Sequence, residues 1–239
     1  MVRSKPLLAG ATALFLTVET LLGIWFQANG EYGRLLRFVT VVLACLFCTL
    51  FAERSWEYLL TQAALLLTVC ADLFLVLLPS PNQLPGMLFF SVVQLAYAAR
   101  LYLTAPSSSR RRVQIILRIS LSALAITATA LVLGADTDAV AMISLFYYAN
   151  LVLNIAFAWT QASTQLIMAV GLTLFLLCDT LVGFAFLDGY LTVAEGSLID
   201  RINHPGFDLA WAFYLPSQML LAVSLLPKRW SRAPQTTKV

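Results

Sequence analysis

The chain has 239 residues, of which 60% are hydrophobic and 11% are charged, with a mean hydropathy of +0.85. A soluble domain of this length cannot hide that much apolar surface, which excludes the soluble globular classes. The net charge is +3, and its distribution reflects membrane topology, so nucleic acid is not expected as a partner.

The apolar residues form blocks of about twenty, the length that a helix needs to cross a hydrocarbon core of about 30 Å. Breaker-rich segments, such as PSPNQLPG at 79–86 and TAPSSSRRR at 104–112, separate several blocks. The first block has no evident cleavage site, so we expect a helix there. We predict a single transmembrane domain over residues 1–239, an all-α bundle of eight helices. They are 7–28, 35–52, 56–78, 84–104, 113–134, 138–159, 166–187 and 207–226.

The basic residues predict the orientation of this bundle. With eight spans both termini lie on one side, which holds every Lys and Arg except Arg34, Arg37 and Arg201. The positive-inside rule then places both termini in the cytoplasm. We expect a multi-pass integral membrane protein surrounded by membrane lipids, in the plasma membrane if the cell is bacterial.

Two carboxylates lie inside apolar spans, Asp72 in LLLTVCADLFLVLL and Asp179 in LTLFLLCDTLVGFAFL. Acids within spans are rare, and their default interpretation is functional. At about 1.5 Å per residue, Asp72 lies roughly 24 Å from the start of its span and Asp179 roughly 20 Å. The matched depth favours a shared site. A protonated, hydrogen-bonded pair with a structural role is the alternative.

Further polar residues reach a similar depth in other spans, and we expect them to line one intramembrane cavity with the two acids and to bind substrate. Taken singly, a Gln or Asn in a span often only bonds a neighbouring helix. The candidates are Glu19, Gln94, Tyr97, Tyr147, Asn150, Tyr214 and Gln218.

The cysteines and the single histidine carry little chemistry. Cys45 and Cys48 form a C-x-x-C inside the second span, where a structural role is expected because the thiols lack partners and access. One histidine, His204, is too few for a zinc hydrolase site that needs several histidine ligands. We expect neither a metal nor another cofactor.

Short motifs that include the polar positions cover nearly the whole chain. They are Ala71-Asp72-Leu73, Pro85-Gly86-Met87, Phe89-Phe90, Gln94, Tyr97, Tyr147-Tyr148, Gly171, Leu174-Phe175, Cys178-Asp179, Tyr214, Ser217-Gln218 and Met219-Leu220. In order and spacing they resemble the motifs of the YhhN-like family of integral-membrane lysoplasmalogenases. Three positions depart from the family pattern, which has Gly at Ala71, His at Gln94 and Ser at Cys178. Ala and Cys preserve the packing, but glutamine cannot carry a proton at neutral pH.

The resemblance implies hydrolysis of the vinyl-ether bond of a lysophospholipid substrate, a lysoplasmalogen, to a fatty aldehyde and glycerophospho-ethanolamine or -choline. Asp72 and Asp179 are then the catalytic residues. One protonates the alkenyl β-carbon, and the other stabilises the resulting cation and activates water. Apolar surroundings favour a state in which one of two neighbouring acids keeps its proton. The headgroup is expected to reach the outward loop near Arg201, His204 and Asp208.

A proton-coupled carrier or a lysolipid-binding membrane protein without hydrolase activity is the alternative. Acids near mid-membrane also serve proton relays. Carriers often use paired Gly or Pro interruptions within spans. Pro216 is expected to break the eighth span, but no paired interruption is evident.

Overall fold

The computed structural model describes residues 5–28, 33–80, 82–186 and 208–226. Within these residues every predicted span has its helix and no strand occurs, so the prediction of an all-α membrane bundle is confirmed. The helices are α1 (Lys5–Ala28), α2 (Gly33–Phe51), α3 (Trp56–Asp72), α4 (Gln83–Leu103), α5 (Ser108–Leu133), α6 (Ala139–Thr160), α7 (Ala162–Phe186) and α8 (Leu209–Val223).

Seven of the eight helices found in the described ranges are long and apolar enough to cross a membrane, by length and composition. They have 19 to 26 residues, and about 20 suffice for a hydrocarbon core. The apolar helix α8 is shorter, with 15 residues, and packs against α7, α2 and α1. Helix α5 turns large apolar side chains outward, among them Ile116, Ile119 and Leu131, as a lipid-facing helix does.

Local side-chain contacts set several helix ends. The hydroxyls of Ser55 and Ser107 and the carboxylates of Asp138 and Asp208 accept hydrogen bonds from first-turn N–H groups of α3, α5, α6 and α8. Each bond satisfies an N–H group that has no partner within its helix. Helix α5 ends at Gly134, whose φ of 55° is readily adopted only without a Cβ.

Helices that follow each other in the chain run antiparallel, which gives the bundle two ends. At one end Arg100, near the end of α4, donates hydrogen bonds to Thr61 near the start of α3 and Gln165 near the start of α7. At the other end Gln27 of α1 bonds the backbone of Asp208, just before α8. We call these the inner and outer ends, after the predicted orientation. The cytoplasmic location of both termini stays a prediction.

Two apolar clusters form the interior. The first joins α3, α4, α6, α7 and α8 through buried side chains such as Phe90, Leu151 and Phe175, and α2 reaches it through Val41. The second joins α1, α2, α3 and α8, where the rings of Phe15 and Phe47 stack 4.2 Å apart. Because α2, α3 and α8 contribute to both clusters, they connect the two halves of the bundle.

Pro216 lies inside α8, and the helix continues on both sides of it from Leu209 to Val223. The expectation that Pro216 breaks the eighth span is therefore wrong. A proline removes one backbone N–H donor and crowds the carbonyl of the preceding turn, and the packed surroundings of α8 hold the helix together across that defect.

Helix α3 changes its geometry directly after Asp72. The chain continues as a π-helical turn, Leu73–Leu77, in which the N–H of Leu78 bonds the carbonyl of Leu73 at 3.1 Å. Gly86 of α4 lies against this turn, and a Cβ there would come within 2.4 Å of Cγ of Leu75. The glycine therefore permits α4 to approach the π-helical turn, a conformation frequent at functional sites.

Candidate active site

Asp72 is the last residue of α3 before the π-helical turn, and its side chain is 2% exposed. The phenol of Tyr214, from α8, donates a hydrogen bond of 2.6 Å to its Oδ2. This bond crosses between two helices that are far apart in sequence. It fixes the direction of a carboxyl group that the apolar surroundings would otherwise leave without a partner.

Asp179 occupies the corresponding place on α7, where it is half-buried. The phenol of Tyr147, from α6, donates a hydrogen bond to its Oδ2. The adjacent Tyr148 contacts a different residue, with its hydroxyl 2.8 Å from Oγ1 of Thr180. The two acids therefore have the same kind of partner, each supplied by a different neighbouring helix.

Aromatic rings connect the two tyrosine–aspartate pairs. The ring of Phe90 lies 5.8 Å from that of Tyr147 and 5.7 Å from that of Phe175, whose ring lies 5.5 Å from that of Tyr214. The structure thus connects the two tyrosine–aspartate pairs through one packed group of aromatic rings.

Each tyrosine occupies only one oxygen of its carboxyl group. Both hydrogen bonds end on Oδ2, and among the described residues no donor reaches Oδ1 of Asp72 or of Asp179. An acid in such a position can deliver a proton from its second oxygen, or accept one there, without losing the tyrosine. Two such acids can therefore act on one reacting group.

A second polar group lies toward the inner end from Tyr147, on the same face of α6. Asn150 donates to Oγ of Ser122 at 3.1 Å, and Asn154 donates to Oε1 of Gln94 at 2.9 Å. Both asparagines accept hydrogen bonds from Arg118 of α5. Asn150 and Gln94 therefore belong to this inner polar group, and neither forms a hydrogen bond with an aspartate.

The remaining predicted site residues are buried, with polar atoms that have no partner among the described residues. Tyr97 lacks a partner for its hydroxyl, Gln218 for both side-chain atoms, and Glu19 for both carboxylate oxygens. Glu19 lies on α1, which also contributes Phe15 and Phe26 to the second cluster, and among the described residues it forms no hydrogen bond with either tyrosine–aspartate pair. A common cavity for all seven predicted residues stays a prediction.

Of the three residues expected near a lipid headgroup, Asp208 lies in the described part of the chain, at the outer end of the bundle. Asp208 forms an ion pair of 2.7 Å with Arg37 and caps α8, so both of its functions there are structural. Arg201 and His204 lie outside the described residues. Within the described part of the chain, no group of three or more His, Cys, Asp or Glu is placed to hold a metal ion.

Sequence reasoning treated two arginines as topology charges only, and both are integrated into the bundle. Arg118 bonds the asparagines of α6. Arg100 is 1% exposed and bonds Thr61, Gln165 and Ser224. In the sequence, each of these arginines has apolar residues on both sides, and this pattern could have indicated that it lies within the bundle.

One comparison with known proteins, against family profiles, agrees with the family resemblance of the motifs. No curated protein and no solved structure matches the chain. The profile of the YhhN family matches residues 33–225, which include every helix from α2 to α8 and both tyrosine–aspartate pairs. The chain belongs to the YhhN family.

Proposed function

We propose that this protein is an intramembrane hydrolase that cleaves the vinyl-ether bond of lysoplasmalogens, with Asp72 and Asp179 as its acid/base pair. The observation that carries the proposal is the pair of carboxyl groups, each held through Oδ2 by a tyrosine. The motifs of the YhhN family in which both acids lie support the substrate class.

The reaction begins with one protonated aspartic acid, which donates its proton to the β-carbon of the alkenyl chain. The product is an oxocarbenium-like cation, stabilised by the neighbouring carboxylate. Water adds to the α-carbon of the chain and forms a hemiacetal, while its proton passes to the second acid, the neighbouring carboxylate. As the carbon–oxygen bond breaks, this second acid protonates the ether oxygen and the first acid accepts the hydroxyl proton. The fatty aldehyde and the glycerophospho-ethanolamine or -choline leave, and both acids regain their initial protonation states.

The tyrosines hold the acids in position during these steps. A phenol that donates to Oδ2 stabilises a carboxylate when its proton has left and does not interfere with transfer at Oδ1. Positioning of this kind lowers the entropy cost of reaching the reactive geometry. Tyr147 and Tyr214 are therefore proposed as positioning residues.

A groove at the outer end of the bundle suits the hydrocarbon chain of such a substrate. It lies between α1 and α8, has a volume of about 640 Å³, and is lined by Ile24, Leu215, Met219 and other residues. Trp211, another lining residue, packs its ring 4.9 Å from that of Tyr214. We propose that the alkenyl chain occupies this groove while its vinyl ether lies at the two acids.

Aldehyde release from a lysoplasmalogen by purified protein tests the proposal. Asp72→Asn and Asp179→Asn keep the size of the side chain but remove its transferable proton, so each should lower the rate at least roughly a hundredfold. The double variant should be little worse than the worse single one, because groups that act together are not additive. Glu53→Gln, at an exposed acid in the turn before α3, is the matched control and should keep the wild-type rate.

The alternative is a carrier or lysolipid-binding protein. The intramembrane carboxylate of Glu19, which has no hydrogen-bond partner among the described residues, favours it because such groups serve proton relays. Wild-type protein that binds lysolipids but releases no aldehyde would support this alternative. Near-wild-type aldehyde release by both Asn variants would show that the acids are structural, and the catalytic assignment would fail.

A further inference from the structure

Arg118 is a cation inside a membrane-spanning helix, and no acid of the described residues forms an ion pair with it. At about 1.5 Å per residue, it lies roughly 15 Å from the start of α5, and it is half-buried. In the described part of the chain the ion pairs are Arg37 with Asp208 and Arg100 with Glu57. An arginine at this depth is costly unless it is paired, which suggests that an anion completes the site.

The hydrogen bonds of Arg118 leave donors for such an anion. Nη1 donates to Oδ1 of Asn150 at 3.3 Å and Nη2 to Oδ1 of Asn154 at 2.7 Å, and the guanidinium also lies 5.7 Å from the ring centre of Phe157. A guanidinium has five N–H groups in a rigid fork. Most of them therefore have no acceptor among the described residues, while the two asparagines hold the fork in a defined direction.

Helix α6 relates the position of Arg118 to that of Tyr147, which bonds Asp179. Asn150 and Asn154 follow Tyr147 by three and seven residues, so all three lie on one face of the helix. Their spacing places the guanidinium roughly 5–10 Å from Tyr147 toward the inner end. Nε2 of Gln94 is buried near Asn154 and has no partner in the described residues, which adds a second unused donor to this region.

We propose that Arg118 binds the phosphate of the lysophospholipid whose vinyl ether lies at Asp72 and Asp179. The inference rests on the proposed function and adds the residue that recognises the headgroup side of the substrate. In such a lipid roughly five bonds of about 1.5 Å each separate the ether oxygen from phosphorus, a distance that matches the spacing along α6. A phosphate diester also matches the fork of a guanidinium in charge and shape.

This assignment fixes how the lipid lies in the bundle. The phosphate is nearer the inner end than the vinyl ether, and the hydrocarbon chain points to the outer end, where the groove between α1 and α8 begins. A lipid of the inner leaflet has this orientation. The headgroup therefore lies opposite to the outward loop that the sequence suggested for it.

Two substrates, one with and one without the phosphate-bearing headgroup, test the inference. We compare a 1-alkenyl lysophospholipid with a 1-alkenylglycerol of the same chain, using wild type, Arg118→Met and Arg118→Lys. Loss of hydrogen bonds to a charged group should lower kcat/KM for the lysophospholipid roughly ten- to a hundredfold in Arg118→Met, mainly through KM. Arg118→Lys keeps the charge and should lose less. Neither variant should change kcat/KM for the alkenylglycerol more than about twofold. Arg112→Met, at an exposed arginine of the same helix, is the matched control.

A binding measurement separates this inference from the proposed function. A saturated 1-O-alkyl lysophospholipid has no vinyl ether and can only bind, and 1-O-alkylglycerol is its phosphate-free competitor. If wild type binds the phospholipid in preference and Arg118→Met abolishes that preference, the inference stands even if no aldehyde is ever released. Equal losses on phosphate-containing and phosphate-free ligands would overturn it, since Arg118 would then only join α5 to α6 or hold a separate lipid. Unchanged binding by Arg118→Met and Arg118→Lys would also overturn it.

Discussion

The hydroxyl of Tyr214 reaches Oδ2 of Asp72 across 142 residues of sequence, at a distance of 2.6 Å. Tyr147 contacts Asp179 in the same way from a helix that is nearer in the chain. The two bonds place equivalent restraints on two acids that come from different helices. They therefore make the tyrosines the most informative positions beside the acids themselves.

Replacement of Tyr214 or Tyr147 by Phe should lower the rate of aldehyde release about tenfold, because a hydrogen bond to a charged group stabilises that group by roughly 1.5–3 kcal/mol. The decrease should appear in kcat more than in KM, since the phenols position the acids. Tyr148→Phe is the matched control, because it removes a hydroxyl one residue away that contacts Thr180. A purely structural role would instead lower thermal stability without changing the turnover of the folded fraction.

Gln94→His should raise the rate of aldehyde release about tenfold, because histidine exchanges a proton near neutral pH and glutamine does not. Gln94 accepts a hydrogen bond from Asn154, and an imidazole nitrogen can accept the same bond. Gln114→His, at another buried glutamine, provides the control. An unchanged rate in Gln94→His would mean that the aspartates transfer protons without help from this position.

Ala212→Trp should raise KM for lysoplasmalogens with long alkenyl chains. Ala212 lines the groove between α1 and α8, and an indole there would displace part of the chain. Each CH₂ group that loses its contacts costs about 0.8 kcal/mol, so loss of two such groups should raise KM roughly tenfold. Short chains should be affected less. Leu131→Trp, on the lipid-facing side of α5, should leave KM unchanged, and equal effects on all chain lengths would contradict a chain-binding groove.

Arg100→Met should destabilise the folded protein by roughly 3 kcal/mol, because it removes several hydrogen bonds of a buried charged group, each worth about 1.5–3 kcal/mol at most. The substitution removes the bonds to Thr61, Gln165 and Ser224 and the 3.5 Å ion pair with Glu57. Thermal unfolding in detergent measures the change. Arg110→Met removes an exposed arginine at the same end and should have little effect. Equal melting temperatures for the two variants would show that the Arg100 contacts contribute no net stability.

Cysteine labelling in intact cells tests the predicted orientation. Asn82→Cys and Ser107→Cys place exposed thiols in the turns before α4 and α5. A membrane-impermeant maleimide should label position 82 from outside and position 107 only after permeabilisation. The four native cysteines lie within helices, three of them buried and Cys70 partly so, and the wild-type protein measures their background. Labelling of both positions from the same side would contradict the alternation of the helices.

The helices could be predicted closely because hydropathy is a property of the local sequence. The predicted span 84–104 corresponds to α4, Gln83–Leu103. The largest difference at the start of a helix is at α5, predicted from residue 113 and observed from Ser108. Its first turns contain the three arginines 110–112, which the hydropathy pattern assigned to a loop. Long basic side chains can belong to a helix while their charges remain at the membrane surface.

The candidate site could be predicted only in part. Asp72 and Asp179 were evident because an acid within an apolar span is rare. Their partners were not, since helical periodicity shows which residues share a face but not which helix that face contacts. Tyr147 was a candidate by its depth and its motif, but its bond to Asp179 requires the packing of α6 on α7. The role of Arg118 likewise depends on a contact between helices.

The buried position of Arg100 has a consequence for biosynthesis. When α3 and α4 leave the ribosome, Thr61 and Glu57 already exist, but Gln165 and Ser224 lie 65 and 124 residues further along the chain. In the predicted orientation, the charge of Arg100 is expected to help retain its end of α4 in the cytoplasm during insertion. The same guanidinium can bond Gln165 and Ser224 only after α7 and α8 have been synthesised. The residue that helps to orient a helix in the nascent chain thus becomes the link that joins four helices in the finished protein.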